Sequence, residues 1–273
     1  MEAKRLAILG IGGRMGQSIV RALRQESHWR LSGALASPHS PRLGQDAAAE
    51  GAASGVRITA EPAAALIDGA GRKASVAVDF SSAEAVALHA EACAAAGVPL
   101  LVGTTALKAD CLAALRQAAQ SIAILIAPNT SVGVGVLAEL VRLAGGALPA
   151  SYDVEIHEAH HRMKRDAPSG TALKLGEIVA QARSQELAQV AVYDRHGAHA
   201  PREPGSIGFS VLRAGDIVGE HTVIFAGAGE RLEITHRATD RDVFARGALK
   251  AAEWLAGRCP GTYSMQDVLR QRA

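Results

Sequence analysis

Cysteine is scarce: Cys93, Cys111 and Cys259 are the three in 273 residues. They stand far apart without C-x-x-C spacing, which excludes a disulfide framework and a thiolate metal site and fits a reducing, cytoplasmic home. A charge excess is missing too, since 29 Lys and Arg face 27 Asp and Glu for a formal +2. No broad basic field is offered to nucleic acid or an anionic membrane, so any anion binding must be local. Long apolar runs are absent as well. The opening MEAKRLAILGIGG is apolar for about five residues before glycines interrupt it, too few for a signal core or a spanning helix. One further absence is local: no Asp or Glu lies between Gly33 and Arg42. What remains is ordinary, 48% hydrophobic and 21% charged, long enough for one large domain or two medium ones.

Apolar runs of strand length alternate with helical segments through the first 130 residues. LAIL at 6–9, LSGAL at 31–35, VRIT at 56–59, SVAVDF at 75–80, VPLLV at 98–102 and IAILIA at 122–127 read as strands. Their continuous apolar character predicts a parallel sheet covered by helices. The Ala-rich segment 83–97 reads as one such helix, with Gly97 and Pro99 as its stop signal.

GIGGRMG follows the first strand directly, at Gly10 to Gly16. Glycines there let backbone N–H groups approach a pyrophosphate while the next helix turns its positive end toward it. The spacing is G-x-x-G-x-x-G through Gly10, Gly13 and Gly16, not G-x-G-x-x-G. A carboxylate about 20 residues on would bind the ribose hydroxyls of NAD, and the stretch lacking acids occupies that place. Arg14, Ser37, His39 or Arg42 could instead bind a 2′-phosphate, so NADPH is the expected cofactor, ahead of NADH. GTT at 103–105 and APNTS at 127–131 put small polar groups at two further strand ends, suited to nicotinamide and ribose.

HEAHH at 157–161 matches H-E-x-x-H, the zinc-protease signature. That signature needs a helix, where residues four apart sit about 6 Å from one another. Here Val154 and Ile156 alternate with Asp153, Glu155 and His157, which predicts a strand; His157 and His161 would then lie roughly 13 Å apart and share no metal. No metal site is expected, and Glu158 reads only as part of the strand that delivers the chain. The segment that follows, HHRMKRDAPSGTA, leads into a helix expected to start near Pro168 or Ser169. His160, His161 and Lys164 before a helix amino end form a compact cationic pocket for an anionic substrate undergoing proton transfer.

EAHHRMKRDAPSGTA resembles the signature of the 4-hydroxy-tetrahydrodipicolinate (dihydrodipicolinate) reductase family. GGRMG, VDFSSAE, VGTT, APNTSVGVGV, IGFSVLRAGDIVGEHTVIFAG, GERLEITHRATDR and FARGALKAAEWLAG resemble family blocks in the same order, so the resemblance runs end to end. It implies an α/β chain of two domains: a Rossmann-type dinucleotide-binding domain at 1–129 and 242–273, and a smaller α+β substrate domain with a mixed sheet at 130–241 that also mediates a homotetramer. It implies NAD(P)H-dependent reduction of a small cyclic dicarboxylate imine in lysine biosynthesis, with no nucleic-acid or membrane partner. His160 would be the proton donor or acceptor and Lys164 the second donor. His161, Ser169, Gly170 and Thr171 would bind substrate. Gly10, Ile11, Gly12, Gly13, Arg14, Met15, Ser37, Phe80, Gly103, Thr104, Thr105, Ala127, Pro128, Asn129 and Thr130 would contact the cofactor. Thr130 stands where the family usually has an aromatic, Gly135 where it commonly has Asn, and the acid after the second strand is absent. Another NAD(P)-dependent amino-acid or semialdehyde dehydrogenase and a non-catalytic nucleotide sensor are the rival readings.

Overall fold

A computed structural model of the chain describes residues 2–48, 50–197 and 199–270. The chain divides into two compact units, one reaching to Val132 and resuming at Asp242, the other Gly133–Arg241. Along the first run β1 (Lys4–Leu9), α1 (Arg14–Leu23), β2 (Trp29–Leu35), α2 (Pro62–Ala65), β3 (Val76–Asp79), α3 (Val86–Ala96), β4 (Leu100–Val102), α4 (Ala109–Ala118) and β5 (Ala123–Ile126) follow in order. Then come α5 (Val132–Ala147), β6 (Asp153–His160), α6 (Gly170–Ala182), α7 (Leu187–Val190), β7 (Ala191–Val192), β8 (Ile207–Arg213), β9 (Gly219–Gly227) and β10 (Glu230–Ala238). The chain returns to the first unit with α8 (Asp242–Leu255), β11 (Gly261–Tyr263) and α9 (Met265–Arg270).

The first unit is built on a parallel sheet in the order β11-β5-β4-β3-β1-β2. Its strands are buried on both faces, as their continuous apolar composition requires: β3 and β4 are buried at every position. One face packs Leu6, Ile8, Val76 and Val78 with Ile19 of α1 and Ala248 and Leu249 of α8. The other packs Ala7, Leu9, Ala77 and Leu100 with Val86 and Cys93 of α3 and Leu115 of α4. Gly97 ends α3 in the left-handed conformation at φ 66°, the stop that the sequence predicts. Strand order reverses at β1, with β2 on one side and β3 on the other, so a crevice opens at the carboxyl ends of β1 and β3.

One sequence expectation is corrected here, and one strand stands where none was expected. VRIT at 56–59 is no sheet strand, because its backbone groups are taken by the preceding loop. Ala47 N donates to Val56 O, Ile58 N to Gln45 O and Gly44 N to Ile58 O, leaving one bridge to the sheet, between Thr59 and Leu35. Conversely, GTY at 261–263 forms β11 and extends the sheet beside β5. Three residues containing no apolar run carry no strand signal, and tertiary pairing alone makes them one.

The second unit holds a mixed sheet in the order β10-β9-β6-β8-β7, with β6 parallel to β8 and antiparallel to β9. IGFSVLRAG, HTVIFAG and RLEITHRA supply β8, β9 and β10, as the sequence suggests. Val154, Ile156, Ile207, Val223 and Phe225 of the sheet pack against Leu137 and Val141 of α5 and Leu175 and Val179 of α6. The period-two reading of 153–160 holds, with Val154, Ile156 and Glu158 buried and Asp153, Glu155 and His157 facing outward. HEAHH therefore lies along a strand and its end, and the helical spacing that a zinc protease needs is not present. The helix after it starts at Gly170, capped by Ser169, with Pro168 one residue ahead of the cap.

Candidate active site

The glycine turn of the first unit is dictated by close backbone approach. Gly10 sits at φ +88°, and a Cβ on it would lie 2.7 Å from the Phe80 carbonyl oxygen. Gly10 N and Ile11 N donate to Leu35 O at 3.0 and 2.9 Å, and Gly13 N to Gly10 O at 3.1 Å. Gly16 brings α1 onto the turn, since a Cβ there would meet Gly10 O at 2.6 Å. Gly12 faces open space and Arg14 is exposed. No side chain caps α1, so its first-turn N–H donors suit a pyrophosphate.

The other expected cofactor contacts gather at the same carboxyl edge. Ser37 lies just beyond β2, Phe80 beyond β3, Gly103–Thr105 beyond β4 and Ala127–Thr130 beyond β5. Gly103 admits the Phe80 ring, whose Cε1 a Cβ would meet at 2.1 Å, and Gly103 N donates to Asp79 O at 2.8 Å. The Thr130 hydroxyl donates to Phe244 O at 2.7 Å, so Thr130 is spent anchoring α8. Of the candidates for a 2′-phosphate, Arg42 already donates to Asp46 O and Ala47 O. Asp46, the first acid after Gly33, accepts from Ala48 N, Ser54 N, Ser54 Oγ and Gly55 N. The Ser54 backbone bond leads in pulling its pKa down to about 2. Its carboxylate closes its own loop. Beneath the edge, Asp79 is fully buried, accepting from Ser81 Oγ at 2.6 Å and bonded to His89 Nδ1 at 2.7 Å. An acid at the end of an otherwise apolar strand is the signal that could have drawn attention to it.

In the second unit β6 ends on His160, which is 9% exposed. Its Nδ1 lies 2.6 Å from Glu158 Oε2, and its ring meets His221 edge-on at 5.2 Å between centroids. Glu158 is 1% exposed. Burial opposes its charge, yet bonds from Arg213, His160 and Ser169 N outweigh that and hold its pKa below the ordinary carboxylate range. Ser169 Oγ caps α6 by accepting from Ala172 N and sits 2.9 Å from His221 Nε2. Burial first, then the neighbouring His160, pushes the His221 pKa down to about 3, so that ring is neutral. Lys164 pairs with Asp166 at 2.9 Å in the loop before α6. The structure thus brings His160 and Ser169 into one network; burial above all lowers the His160 pKa, and the nearby Lys164 charge pushes it the same way. His161 lies one residue beyond β6, half-buried, and Gly170 and Thr171 open α6.

Glu158, Arg213 and His221 are members that the sequence reading leaves out. Glu158 carried a usable signal, because period two puts it on the inward face with Val154 and Ile156. Arg213 and His221 arrive from strands far along the chain and carried none.

Models of the dihydrodipicolinate reductase N-terminus and C-terminus match residues 4–130 and 133–269. The chain belongs to the dihydrodipicolinate reductase family. As a member of that family it is an NAD(P)H-dependent oxidoreductase. Relatives named 4-hydroxy-tetrahydrodipicolinate reductase match the chain over nearly its whole length. The one from Anaeromyxobacter dehalogenans is 48% identical over 98% of both chains. The one from Thiobacillus denitrificans is 49% identical over 97% of this chain and 98% of its own. A solved dipicolinate-bound dihydrodipicolinate reductase from Paenisporosarcina sp. TG-14 has TM-score 0.75 and 23% identity, covering 97% of this chain and 99% of that one; at that identity the likeness is one of fold. Within the family pattern, Thr130 and Gly135 are both buried here.

Proposed function

We propose that this dihydrodipicolinate reductase family member reduces 4-hydroxy-tetrahydrodipicolinate to tetrahydrodipicolinate in lysine and diaminopimelate biosynthesis. One hydride and one proton are added and one water is lost. The observation that carries the reading is the buried His160 in a hydrogen-bonded network with the capped amino end of α6. A dianionic substrate whose ring nitrogen gains negative charge calls for preorganised donors of this kind.

His160 is the proton donor or acceptor and Lys164 the second donor group able to deliver that proton, while His161 binds the substrate. Ser169 gives its N–H to Glu158 and its hydroxyl to the cap. It therefore fixes the turn, and the N–H groups of Gly170 and Thr171 carry one carboxylate. The uncapped turn of Gly10 to Met15 fits a dinucleotide pyrophosphate. Ser37, Phe80, Gly103, Thr104, Thr105, Ala127, Pro128, Asn129 and Thr130 line the remainder of its path. When bound, the reduced nicotinamide supplies the hydride. NADPH is the preferred cofactor and NADH the lesser one, because the acid near this edge, Asp46, is consumed by its own loop while Arg14 and Ser37 are exposed. The protein works as a cytoplasmic homotetramer that needs no metal, nucleic acid or membrane. Its free thiols suit a reducing compartment, and the exposed Val211, Leu212 and Leu232 of β8 and β10 offer apolar surface for self-association.

The test follows NADPH and NADH absorbance after the imine is generated in situ from pyruvate and aspartate semialdehyde. Absence of decay removes the reading; decay only with another carbonyl substrate favours a different dehydrogenase, and binding without turnover favours a sensor. His160→Ala and Lys164→Ala are each expected to lower kcat by about 10² or more.

A further inference from the structure

Glu158 has no part in the reaction as assigned above, yet its two oxygens are the most heavily used acceptors in the second unit's site. Arg213 donates from Nη1 to Oε2 and from Nη2 to Oε1, each at 2.7 Å. Ser169 N donates to Oε1 at 2.9 Å, and His160 Nδ1 lies 2.6 Å from Oε2. An ionised carboxylate can only accept, so the proton of this last bond must sit on Nδ1. That leaves Nε2 as the atom that gains and loses a proton. Nε2 faces Gly219 of β9, where a Cβ would come within 3.0 Å.

We propose that Glu158 is a positioning residue for the reduction: it holds the His160 ring in the Nδ1–H tautomer and stabilises by charge the imidazolium that forms when Nε2 is protonated. Arg213 keeps Glu158 ionised, and the bond to Ser169 N ties the same carboxylate to the start of α6. The inference rests on His160 being the proton-handling group. The groups facing His160 are Glu158 on its own strand, Lys164 paired with Asp166 in the loop, Arg213 on β8 and neutral His221 on β9. Burial is the largest influence on His160 and lowers its pKa; Lys164 and Arg213 push the same way, and Glu158 opposes them. Removing the Glu158 charge therefore leaves His160 harder to protonate.

The experiment labels histidine with 15N in the full-length protein and assigns His160 by its loss in His160→Ala. The neutral ring is expected to carry its proton on Nδ1, and a neutral ring protonated on Nε2 overturns the proposal. Because this readout needs no change at Glu158, it stands whether or not variants there fold. In Glu158→Gln, NADPH oxidation is expected to fall about tenfold or more, with the His160 titration and the matching limb of the pH–rate profile moved to lower pH. A merely structural carboxylate would move stability and leave tautomer and pH profile alone. A deficient His160→Ala beside a Glu158→Gln with normal rate and profile overturns this proposal alone. A wild-type rate in His160→Ala overturns the assignment of His160, and this inference with it.

Discussion

Gly219→Ala puts a methyl group against the atom that the proposed mechanism uses. Its Cβ would stand 3.0 Å from His160 Nε2 and 3.3 Å from Cδ2. Ordinary contact between such atoms is about 3.5–4.0 Å, so the ring must retreat by roughly 0.5 Å. It cannot do so freely, because Nδ1 is held 2.6 Å from Glu158 and the ring edge lies against His221. A misplacement of about 1 Å costs on the order of 10²-fold in rate, and about half that displacement therefore costs roughly tenfold. Stability should fall by no more than about 2.6 kcal/mol. Overpacking costs about 1–3 kcal/mol, while replacing a strand glycine whose φ is not positive returns about 0.4–1 kcal/mol through the unfolded chain. The assay is steady-state NADPH oxidation with the imine made in situ, beside a fluorescence titration of NADPH, whose proposed site is in the other unit and whose Kd should be unchanged. A kcat within twofold of wild type would refute the claim that Nε2 is the working atom.

Gly10→Ala should act on the cofactor side. A side chain at φ +88° costs on the order of 1–2 kcal/mol, and its Cβ meets the Phe80 carbonyl at 2.7 Å. NADPH binding should weaken by calorimetry while the second unit's His160 network is untouched; undiminished affinity would argue against this turn as the pyrophosphate site. Ser169→Ala removes the α6 cap and should cost about 1 kcal/mol in urea unfolding, together with a higher KM for the imine; unchanged values for both would sink the role given to the turn. Asp46→Asn should destabilise the protein at neutral pH. Because the folded pKa of about 2 lies below the ordinary 3.8, the charge contributes stability above 3.8 that is lost as pH falls through 2. Thermal unfolding from pH 7 down to pH 2 should show the gap between variant and wild type closing, and a constant gap would contradict it.

Much of the fold was legible because its signals are local. Continuous apolar runs in β1, β3, β4 and β5 announce a parallel sheet, Gly97 stops α3, and alternation in 153–160 distinguishes a strand from a metal-binding helix. VRIT misled because its composition suits a strand while its hydrogen bonds are claimed by the loop at 44–47. GTY was invisible because only the edge of β5 makes it a strand. The same division runs through the site: His160, Lys164 and the PSGT turn are contiguous and carry a recognisable pattern. Glu158 has a readable inward register but no legible role, since a buried acid on a strand is interpretable only once its partners are known.

By itself the sequence determined the parallel sheet and the glycine turn, because each depends on residue types at short, regular spacing; the mixed sheet followed from the resemblance to the family, carried by blocks along the whole chain. Only the tertiary structure decided which of those residues act together. Arg213 meets Glu158 across 55 residues and His221 meets Ser169 across 52, through a strand register that no local pattern encodes. Long-range pairing turns an ordinary strand acid into the group that sets a histidine's tautomer. Asp46, by contrast, is clasped within its own loop by partners no more than 9 residues away.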